Sequence, residues 1–263
     1  MHIGIATNPT KQGAEAIGLR LASWCASKGL KYSVYHDAPE MDLDTAHVDI
    51  LVAVGGDGSL LRFAAPAATR GIPMLGVNLG RVGFLSEVHE NELEDAMQRV
   101  LAGDYLLDRR MMLSCTINGR DPFLCLNDIM VSKSSFSGVA EIRISVNDSF
   151  VGDVFCDGVI VATPTGSTGY SLSAGGSVLA PGLDALAVTP ICPHTLHIRP
   201  IVTSKQAMVT LSMQGSGIVS GDGRLISSIG KGDTVLVTGS DMTCDFIRFT
   251  TKDLFALIRD KLA

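Results

Sequence analysis

The sequence predicts an α/β N-terminal domain followed by a β-rich C-terminal domain. Over the first hundred residues, short apolar runs alternate with segments whose apolar residues recur at helical spacing, which is typical of βαβ units. After about residue 108 the apolar runs become rich in Val, Ile and Thr, and turn pairs such as Asn118-Gly119 separate them. We therefore expect an α/β domain at residues 1–108 and a β-rich domain at 109–250, with a C-terminal helix at 251–263 joining the first domain.

The first domain is expected to alternate strands and helices in chain order. Its predicted strands are residues 2–6, 34–35, 49–54 and 72–77. Its predicted helices are a segment from Ile17 that stops at Gly29, residues 60–69 and residues 91–101. The continuous apolar run at 49–54 is the pattern of a strand buried in the centre of a parallel sheet.

The second domain is expected to consist mostly of strands. Its predicted strands are residues 112–117, 142–146, 159–163, 208–211, 234–237 and 245–249. The last segment of the chain has Leu254, Leu257 and Ile258 at helical spacing, which predicts the amphipathic C-terminal helix.

Composition excludes several classes of partner. The net charge is −6 and no run is rich in Lys or Arg, so we expect no nucleic-acid partner. No stretch approaches eighteen apolar residues, so we expect no membrane span. The six cysteines show no metal-ligand or Cys-x-x-Cys spacing, and the first residues have the pattern of a strand rather than of a signal peptide. These features predict reduced thiols and a cytoplasmic location.

The first candidate site is the turn Gly55-Gly56-Asp57-Gly58-Ser59, which lies between a buried strand and a helix. Glycines let the backbone turn sharply and approach a ligand, and the helix start favours a phosphate. A carboxylate would repel that phosphate unless it has a task of its own. Asp57 is therefore either a base, or a group that holds a hydroxyl or a metal, or simply a residue that caps the helix. The turn matches neither the dinucleotide-binding nor the Walker glycine pattern.

The second candidate site is residues 163–176, a stretch dense in hydroxyls and glycines that carries no charge. Its N–H and O–H groups are suited to line a polar ligand, and Tyr170 offers a flat apolar surface. Two further pairs, Asn127-Asp128 and Asp157-Gly158, by themselves favour ordinary turns over ligand contacts.

Taken together, these segments resemble the NAD kinase family, and the order and spacing agree over nearly the whole chain. The segments that carry the resemblance are Gly55–Ser59, the run Asn78-Leu79-Gly80-Arg81-Val82-Gly83-Phe84-Leu85, Asn127-Asp128, Asp157 followed by residues 163–176, Pro190-Ile191-Cys192-Pro193-His194, and Arg199-Pro200-Ile201-Val202. The resemblance implies an α/β N-terminal domain, a β-rich C-terminal domain and a nucleotide site between them. It also implies transfer of a phosphoryl group from ATP or polyphosphate to the 2′-hydroxyl of the adenosine ribose of NAD, giving NADP.

The resemblance also implies roles for individual residues. Asp57 would be the base that takes the proton from the 2′-hydroxyl, and Asn127 and Asp128 would contact the adenine-ribose or nicotinamide end. The other residues implied in the nucleotide site are Gly58, Arg62, Asp157, Thr168, Gly169, Tyr170, Ser171, Leu172 and Ser173. No residue is expected to ligate a metal, because Mg²⁺ would arrive with the donor phosphates. Assembly as a homodimer or homotetramer is also implied.

The chain departs from the family pattern at three positions. Many members have Ala at Gly169, a basic residue at Phe155 and Gln at Arg224. These differences bear on contacts with NAD and on the preference between NAD and NADH. Two alternatives remain open at this point. A diacylglycerol- or sphingosine-type lipid kinase shares the Gly-Gly-Asp-Gly turn, and a non-catalytic dinucleotide sensor would keep the pocket without needing Asp57.

Overall fold

The structure, a computed structural model, describes residues 1–36, 47–80, 83–135, 137–194, 198–250, 256 and 258–259. The chain forms two compact units: Met1–Arg109 together with Cys244–Ala263, and Arg110–Thr243. The sequence prediction placed residues 244–250 in the second domain. They belong instead to the first unit, because Phe246 pairs with Met74 of that unit's sheet. None of the helices described is both long and apolar enough to cross a membrane.

The first unit is an α/β structure, as the sequence predicts. Its strands are β1 (His2–Thr7), β2 (Lys31–Tyr35), β3 (Ile50–Val54), β4 (Met74–Asn78) and β5 (Val88–His89). Its helices are α1 (Ala14–Ser27), α2 (Asp57–Arg70) and α3 (Leu93–Ala102), with a short 3-10 turn at Glu90–Glu92. The predicted C-terminal helix at 251–263 lies outside the described residues, except that Ala256, Ile258 and Arg259 are helical.

The strands of the first unit are parallel, in the order β2-β1-β3-β4, and β5 pairs with β4. Side chains from the strands and helices, such as Ile5, Val52 and Met97, pack into one buried core. After β1 the chain forms β2, which pairs with one side of β1. It then returns to form β3 on the other side of β1 and continues outward to β4. Ligands of open parallel sheets bind where the strand order reverses in this way, outside the carboxyl ends of the strands. The Gly55–Ser59 turn follows the carboxyl end of β3 and therefore lies at that place.

The second unit consists almost entirely of strands. They are β6 (Leu106–Ile117), β7 (Phe123–Cys125), β8 (Asp128–Lys133), β9 (Ala140–Val146), β10 (Ser149–Cys156), β11 (Gly158–Ala162), β12 (Ala185–Ile191), β13 (Ile201–Ser204), β14 (Val209–Met213), β15 (Gly217–Gly221), β16 (Arg224–Ile229) and β17 (Thr234–Arg248). The first residues of β6 and the last of β17 belong to the first unit. One short helix, α4 (Tyr170–Ser173), follows a 3-10 turn at Gly166–Thr168.

Six of these strands form an antiparallel sheet in the order β13-β12-β11-β8-β15-β16. A second set, β10-β9-β14 and the start of β17, is also antiparallel. Alternate side chains of both sets, such as Val161 and Ile142, share one buried core. On the opposite face of the six-stranded sheet, Ile160 packs against Leu179 in a smaller core. Strand β11 is therefore buried on both faces, which fixes the loop that follows it.

Candidate active site

The glycine-rich turn of the first unit has a backbone that only glycine adopts readily. Gly55 and Gly56 have φ angles of 137° and 108°, in the region that side chains disfavour. A Cβ on Gly55 would also lie 2.4 Å from the Ser59 hydroxyl. Helix α2 then starts at Asp57 with no side-chain capping bond. The interpretation of Asp57 as a helix cap is therefore wrong.

The carboxylate of Asp57 instead binds a neighbouring loop, residues 84–86. The Phe84 N–H donates to Oδ2 over 2.7 Å, and the N–H groups of Leu85 and Ser86 donate to Oδ1 over 3.2 and 3.0 Å. A carboxylate has about four lone-pair sites. With two bonds on Oδ1 and one on Oδ2 from the described residues, one site is left on Oδ2. Both oxygens of the half-buried Asp57 are thus held by the loop, and Oδ2 keeps one acceptor site.

Gly83 makes this close approach possible. A Cβ at Gly83 would lie 1.8 Å from Asp57 Oδ1, so the carboxylate occupies the space that any other residue would fill. The Gly83 N–H donates to the Ser86 hydroxyl over 2.8 Å, which closes the loop on itself. Gly58 is exposed at the start of α2, and Arg62 lies one turn further on the same helix face. Arg81 and Val82, which belong to the run behind the resemblance, lie outside the described residues.

In the second unit, the Asn127-Asp128 pair lies at the start of β8 and is held by Asp222. The N–H groups of Leu126, Asn127 and Asp128 donate to the Asp222 carboxylate over 2.8, 2.7 and 3.3 Å. Asp222 itself adopts a positive φ of 48° in the turn between β15 and β16. The Asn127 Oδ1 atom is buried and accepts no hydrogen bond from the described residues. It therefore keeps an acceptor capacity that no described residue uses.

Two carboxyl groups lie near each other in this cluster, and both are affected by burial. Burial and the nearby Asp222 carboxyl raise the pKa of Asp128 from 3.8 to about 7. Burial also raises the pKa of Asp222, and the three N–H donors offset only part of that effect. A ligand hydroxyl that donates to Asp128 would favour its charged form.

The loop after β11 docks onto the same cluster. Its Thr163 hydroxyl donates to the Leu126 carbonyl over 2.7 Å, and its Thr163 N–H donates to the Asn127 carbonyl over 2.9 Å. Gly166 lies so close that a Cβ there would be 2.0 Å from the Asn127 carbonyl oxygen. The two polar segments noted in the sequence thus form one structural group.

Not all hydroxyls of this loop face outward. The Ser171 side chain is fully buried and its hydroxyl lies 3.0 Å from that of Thr189. Ser171 therefore attaches the loop to strand β12. The predicted place of Ser171 in the nucleotide site stays a prediction, and its hydroxyl faces inward. Thr168, Gly169 and Leu172 are half-buried, whereas Tyr170 and Ser173 are exposed.

A pocket of about 520 Å³ opens beside this loop within the second unit. Two residues singled out in the sequence, Asp157 and Tyr170, line it. Lys133 and Cys192 line it as well. The Lys133 ammonium lies 2.7 Å from Asp157 Oδ1, so the charge of that carboxylate is already balanced.

Sequence reasoning gave no role to three of these residues. Lys133 gave no signal because its partner is distant along the chain. Asp222 lies in an Asp-Gly pair that marks a turn, and Gly83 lies in a run whose only signal was the resemblance itself. In the described part of the chain, no three His, Cys, Asp or Glu side chains converge as metal ligands do.

Comparisons with known proteins identify the family of the chain. Residues 41–105 match the family model described as ATP-NAD kinase N-terminal domain, and residues 126–249 match ATP-NAD kinase C-terminal domain. An NAD kinase of Heliobacterium modesticaldum is 37% identical over 276 residues, covering 99% of this chain and 98% of that protein.

Two solved structures share the fold. The yeast NADH kinase complexed with NADH superposes with a TM-score of 0.87 at 22% identity, covering 100% of this chain and 87% of that one. An NAD kinase from Archaeoglobus fulgidus in complex with ATP gives a TM-score of 0.81 at 25% identity, covering 98% of this chain and 99% of that one.

The fold, the glycine-rich turn with its carboxylate and the matched family models define a phosphotransferase. The chain belongs to the NAD kinase family, and its function is that of an NAD kinase. The comparisons give no support to a lipid kinase or to a non-catalytic sensor.

Proposed function

We propose that the chain transfers the terminal phosphoryl group of ATP or polyphosphate to the 2′-hydroxyl of the adenosine ribose of NAD, giving NADP. The observation that carries this mechanism is the Asp57 carboxylate, fixed by three N–H donors at the end of β3 with one acceptor site left on Oδ2. The relative from Archaeoglobus fulgidus that was solved with ATP supports ATP as a donor.

Asp57 is the general base of this proposal. Phosphoryl transfer passes through a loose transition state, so positioning and charge stabilisation dominate its catalysis. The base has only to receive the proton late, as the new P–O bond forms, which a carboxylate does. Oδ2 receives the proton from the 2′-hydroxyl, while Oδ1 stays bound to Leu85 and Ser86.

The donor phosphates are placed at the start of α2. The first N–H groups of a helix are unpaired and its N-terminus is positive, which suits phosphate oxygens. Gly58 lets those oxygens approach the backbone, and Arg62 adds a positive charge on the same helix face. Mg²⁺ would bind together with the phosphate donor, because its usual ligands are the donor's phosphate oxygens and water molecules.

Asn127 and Asp128 are the proposed recognition pair for NAD. The unpartnered Oδ1 of Asn127 and the Asp128 carboxyl are both acceptors, and ribose hydroxyls and amide N–H groups are donors. Leaving such a buried acceptor unpaired costs free energy that a bound ligand recovers. The pair therefore favours a hydroxyl-rich, amide-bearing ligand over a lipid.

The pocket beside Tyr170 is proposed to hold another part of the nucleotide. Asp157 supplies a polar wall and Tyr170 a ring on which a flat heterocycle stacks. Thr168, Gly169, Leu172 and Ser173 continue this surface along the loop.

We further propose a cytoplasmic enzyme that forms a homodimer or homotetramer, without a nucleic-acid or membrane partner. All six cysteines are free thiols, which supports a reducing compartment. Exposed Phe150 and Phe155 on the edge strand β10 support self-association. Light scattering of the purified chain during gel filtration measures the oligomer directly, and a monomer at all concentrations would contradict this part.

The test of the proposed function is a direct assay of NADP formation. Purified chain is incubated with NAD, Mg²⁺ and either ATP or polyphosphate, and NADP is measured with an NADP-specific dehydrogenase. We expect NADP with at least one donor and none from an NAD analogue that lacks the 2′-hydroxyl. Absence of NADP with both donors would overturn the proposal.

A matched pair of variants isolates the base. Asp57→Asn is expected to lower kcat by about 10²–10⁴-fold, the usual effect of removing a general base. Asp104→Asn makes the same chemical change at an exposed carboxylate of the same unit that pairs with Arg99, and should leave kcat unchanged. Equal activity of the two variants would show that Asp57 does not act as the base.

A further inference from the structure

The last strand carries a buried arginine that the mechanism above does not use. Arg248 is only 3% exposed, and its guanidinium binds two carboxylates of the first unit. Its Nη1 lies 3.1 Å from Glu87 Oε2 and its Nε lies 3.1 Å from Asp108 Oδ2. The Phe249 N–H donates to the other oxygen of Glu87 over 3.1 Å. A buried charge with this many partners is rigidly placed.

The same guanidinium also binds the backbone of the loop that holds Asp57. Its Nη1 donates to the Leu85 carbonyl over 2.6 Å, and its Nη2 donates to the Phe84 carbonyl over 3.4 Å. Each of these carbonyls belongs to a peptide group whose N–H end points at Asp57. The Phe84 carbonyl shares its peptide group with the Leu85 N–H, and the Leu85 carbonyl shares its own with the Ser86 N–H.

Two peptide groups therefore connect the guanidinium to the carboxylate, and both end on the same oxygen. The N–H groups of Leu85 and Ser86 each donate to Asp57 Oδ1. A hydrogen bond accepted by a peptide carbonyl polarises the peptide and strengthens the bond that its N–H donates. The polarisation caused by Arg248 therefore strengthens the hydrogen bonds to Oδ1. It does not reach Oδ2 in this way, because the donor to Oδ2 is the Phe84 N–H.

We propose that Arg248 is a positioning residue for phosphoryl transfer, which fixes the 84–87 loop and anchors Asp57 Oδ1 through two peptide groups. Oδ2 is then the oxygen that receives the proton. The inference rests on the proposed role of Asp57 as the base. It assigns to a residue 191 positions away in sequence the task of holding the base at the angle that the reaction needs.

The substitution that tests this role has to keep the positive charge. Removing Arg248 altogether would take the guanidinium away from the buried Glu87 carboxylate and the partly buried Asp108 carboxylate, and the protein would lose stability for that reason alone. Arg248→Lys keeps a charge for the two carboxylates. It cannot reproduce the planar fork that reaches both carbonyls and both acids, because an ammonium is a compact point charge.

The experiment is a double-mutant cycle on kcat, measured with saturating NAD and ATP. The four proteins are the unchanged chain, Arg248→Lys, Asp57→Asn and the double variant, each corrected for its folded fraction from thermal unfolding. We expect Arg248→Lys to lower kcat by about 10-fold, with each KM changed less than about twofold, since it disturbs an interaction used in the transition state. In the Asp57→Asn background the same change should lower kcat by less than about twofold, because residues that act as one unit are not additive.

Arg109→Lys is the matched control. Arg109 pairs with Asp245 in the same unit but is 68% exposed, and its replacement should leave kcat unchanged. A second variant, Asp108→Asn, removes one anchor of the guanidinium without touching the loop. It should lower kcat by a smaller factor, about threefold, and show the same dependence on Asp57. It carries the test if Arg248→Lys does not fold.

The possible failures are distinguishable. Equal loss from Arg248→Lys, or from Asp108→Asn, in both backgrounds would overturn the inference and leave Arg248 with a purely structural role. Full turnover by Asp57→Asn would overturn the role of the base, and the inference with it. Absence of NADP from the unchanged chain would instead overturn the proposed function.

Discussion

Replacing Gly83 by alanine adds one methyl group directly against the proposed base. Gly83 does not have a left-handed backbone, so alanine is compatible with its φ angle. The new Cβ would nevertheless lie 1.8 Å from Asp57 Oδ1, 2.3 Å from Cγ and 2.4 Å from Oδ2. Because all three atoms are too close, rotating the carboxylate does not relieve the contact, and the whole group has to move away.

The size of that movement sets the expected loss of activity. A Cβ is essentially never found within 3.0 Å of a heavy atom, so Oδ1 has to shift by about 1.2 Å. Such a shift breaks the hydrogen bonds from Leu85 and Ser86, which are already 3.2 and 3.0 Å long. A misplacement of about 1 Å costs roughly 10²-fold in rate. We therefore expect kcat to fall by about 10²-fold, equivalent to about 2.7 kcal/mol of transition-state stabilisation.

The assay compares Gly83→Ala with Gly80→Ala in the same loop. A Cβ at Gly80 would have no atom of the described residues within 4 Å, so this control adds the same methyl group without a collision among them. Both proteins are assayed for NADP formation and checked by thermal unfolding, because overpacking a buried site costs about 1–3 kcal/mol of stability. NAD affinity should be unchanged in both. If folded Gly83→Ala keeps a kcat within threefold of the Gly80→Ala control, the position of the Asp57 carboxylate does not limit the reaction.

Three further predictions concern the second unit. Because Asp128 has its pKa raised from 3.8 to about 7 and a ribose hydroxyl favours its charged form, NAD affinity should rise with pH from about 4 to about 7 and then level off. Titration calorimetry measures this, and Asp128→Asn should flatten the profile; a slope that survives the substitution would assign it to another group. Asn127→Ala should raise the KM for NAD about 10-fold but hardly change that for ATP, since about 1–3 kcal/mol is lost with a buried ligand contact. Equal changes in both constants would indicate a folding effect. Finally, Cys192 is exposed in the pocket, whereas Cys156 is buried and burial raises its pKa to about 11. Mass spectrometry after alkylation should therefore find Cys192 labelled first and protected by NAD, and preferential labelling of Cys156 would contradict this arrangement.

Much of the first unit could be predicted from local sequence patterns. The run of apolar residues in β3 and the helical spacing in α1 reflect burial that depends mainly on each segment's own periodicity. In the second unit the pattern was weaker. β10 and β16 have exposed apolar side chains such as Phe150 and Leu225, so their alternation does not separate an inner face from an outer one. The runs at 234–237 and 245–249 proved to be one strand, β17, because polar residues in a long strand need not end it.

The candidate site shows the same division between local and distant information. Asp57 and Asn127 lie in motifs that are visible in the sequence. The residues that hold these two side chains in place are not visible in such motifs. Asp222 binds the backbone 95 residues away, and Arg248 binds carbonyls 163 and 164 residues away. Such partners are set by the packing of strands and leave no periodic signal. Ser171 shows a limit of another kind, since a hydroxyl-rich motif does not reveal which hydroxyls face inward.

The division of the first unit between the two ends of the chain has a consequence for synthesis on the ribosome. Domains fold in order of emergence as translation proceeds. The second unit, Arg110–Thr243, is complete before the first one, which still lacks Cys244–Ala263. Until then the 84–87 loop lacks the contacts that Arg248 makes with its carbonyls and with Glu87. On this order of folding, the loop that holds the proposed base Asp57 gains the contacts of Arg248 only after residues 244–263 have been synthesised.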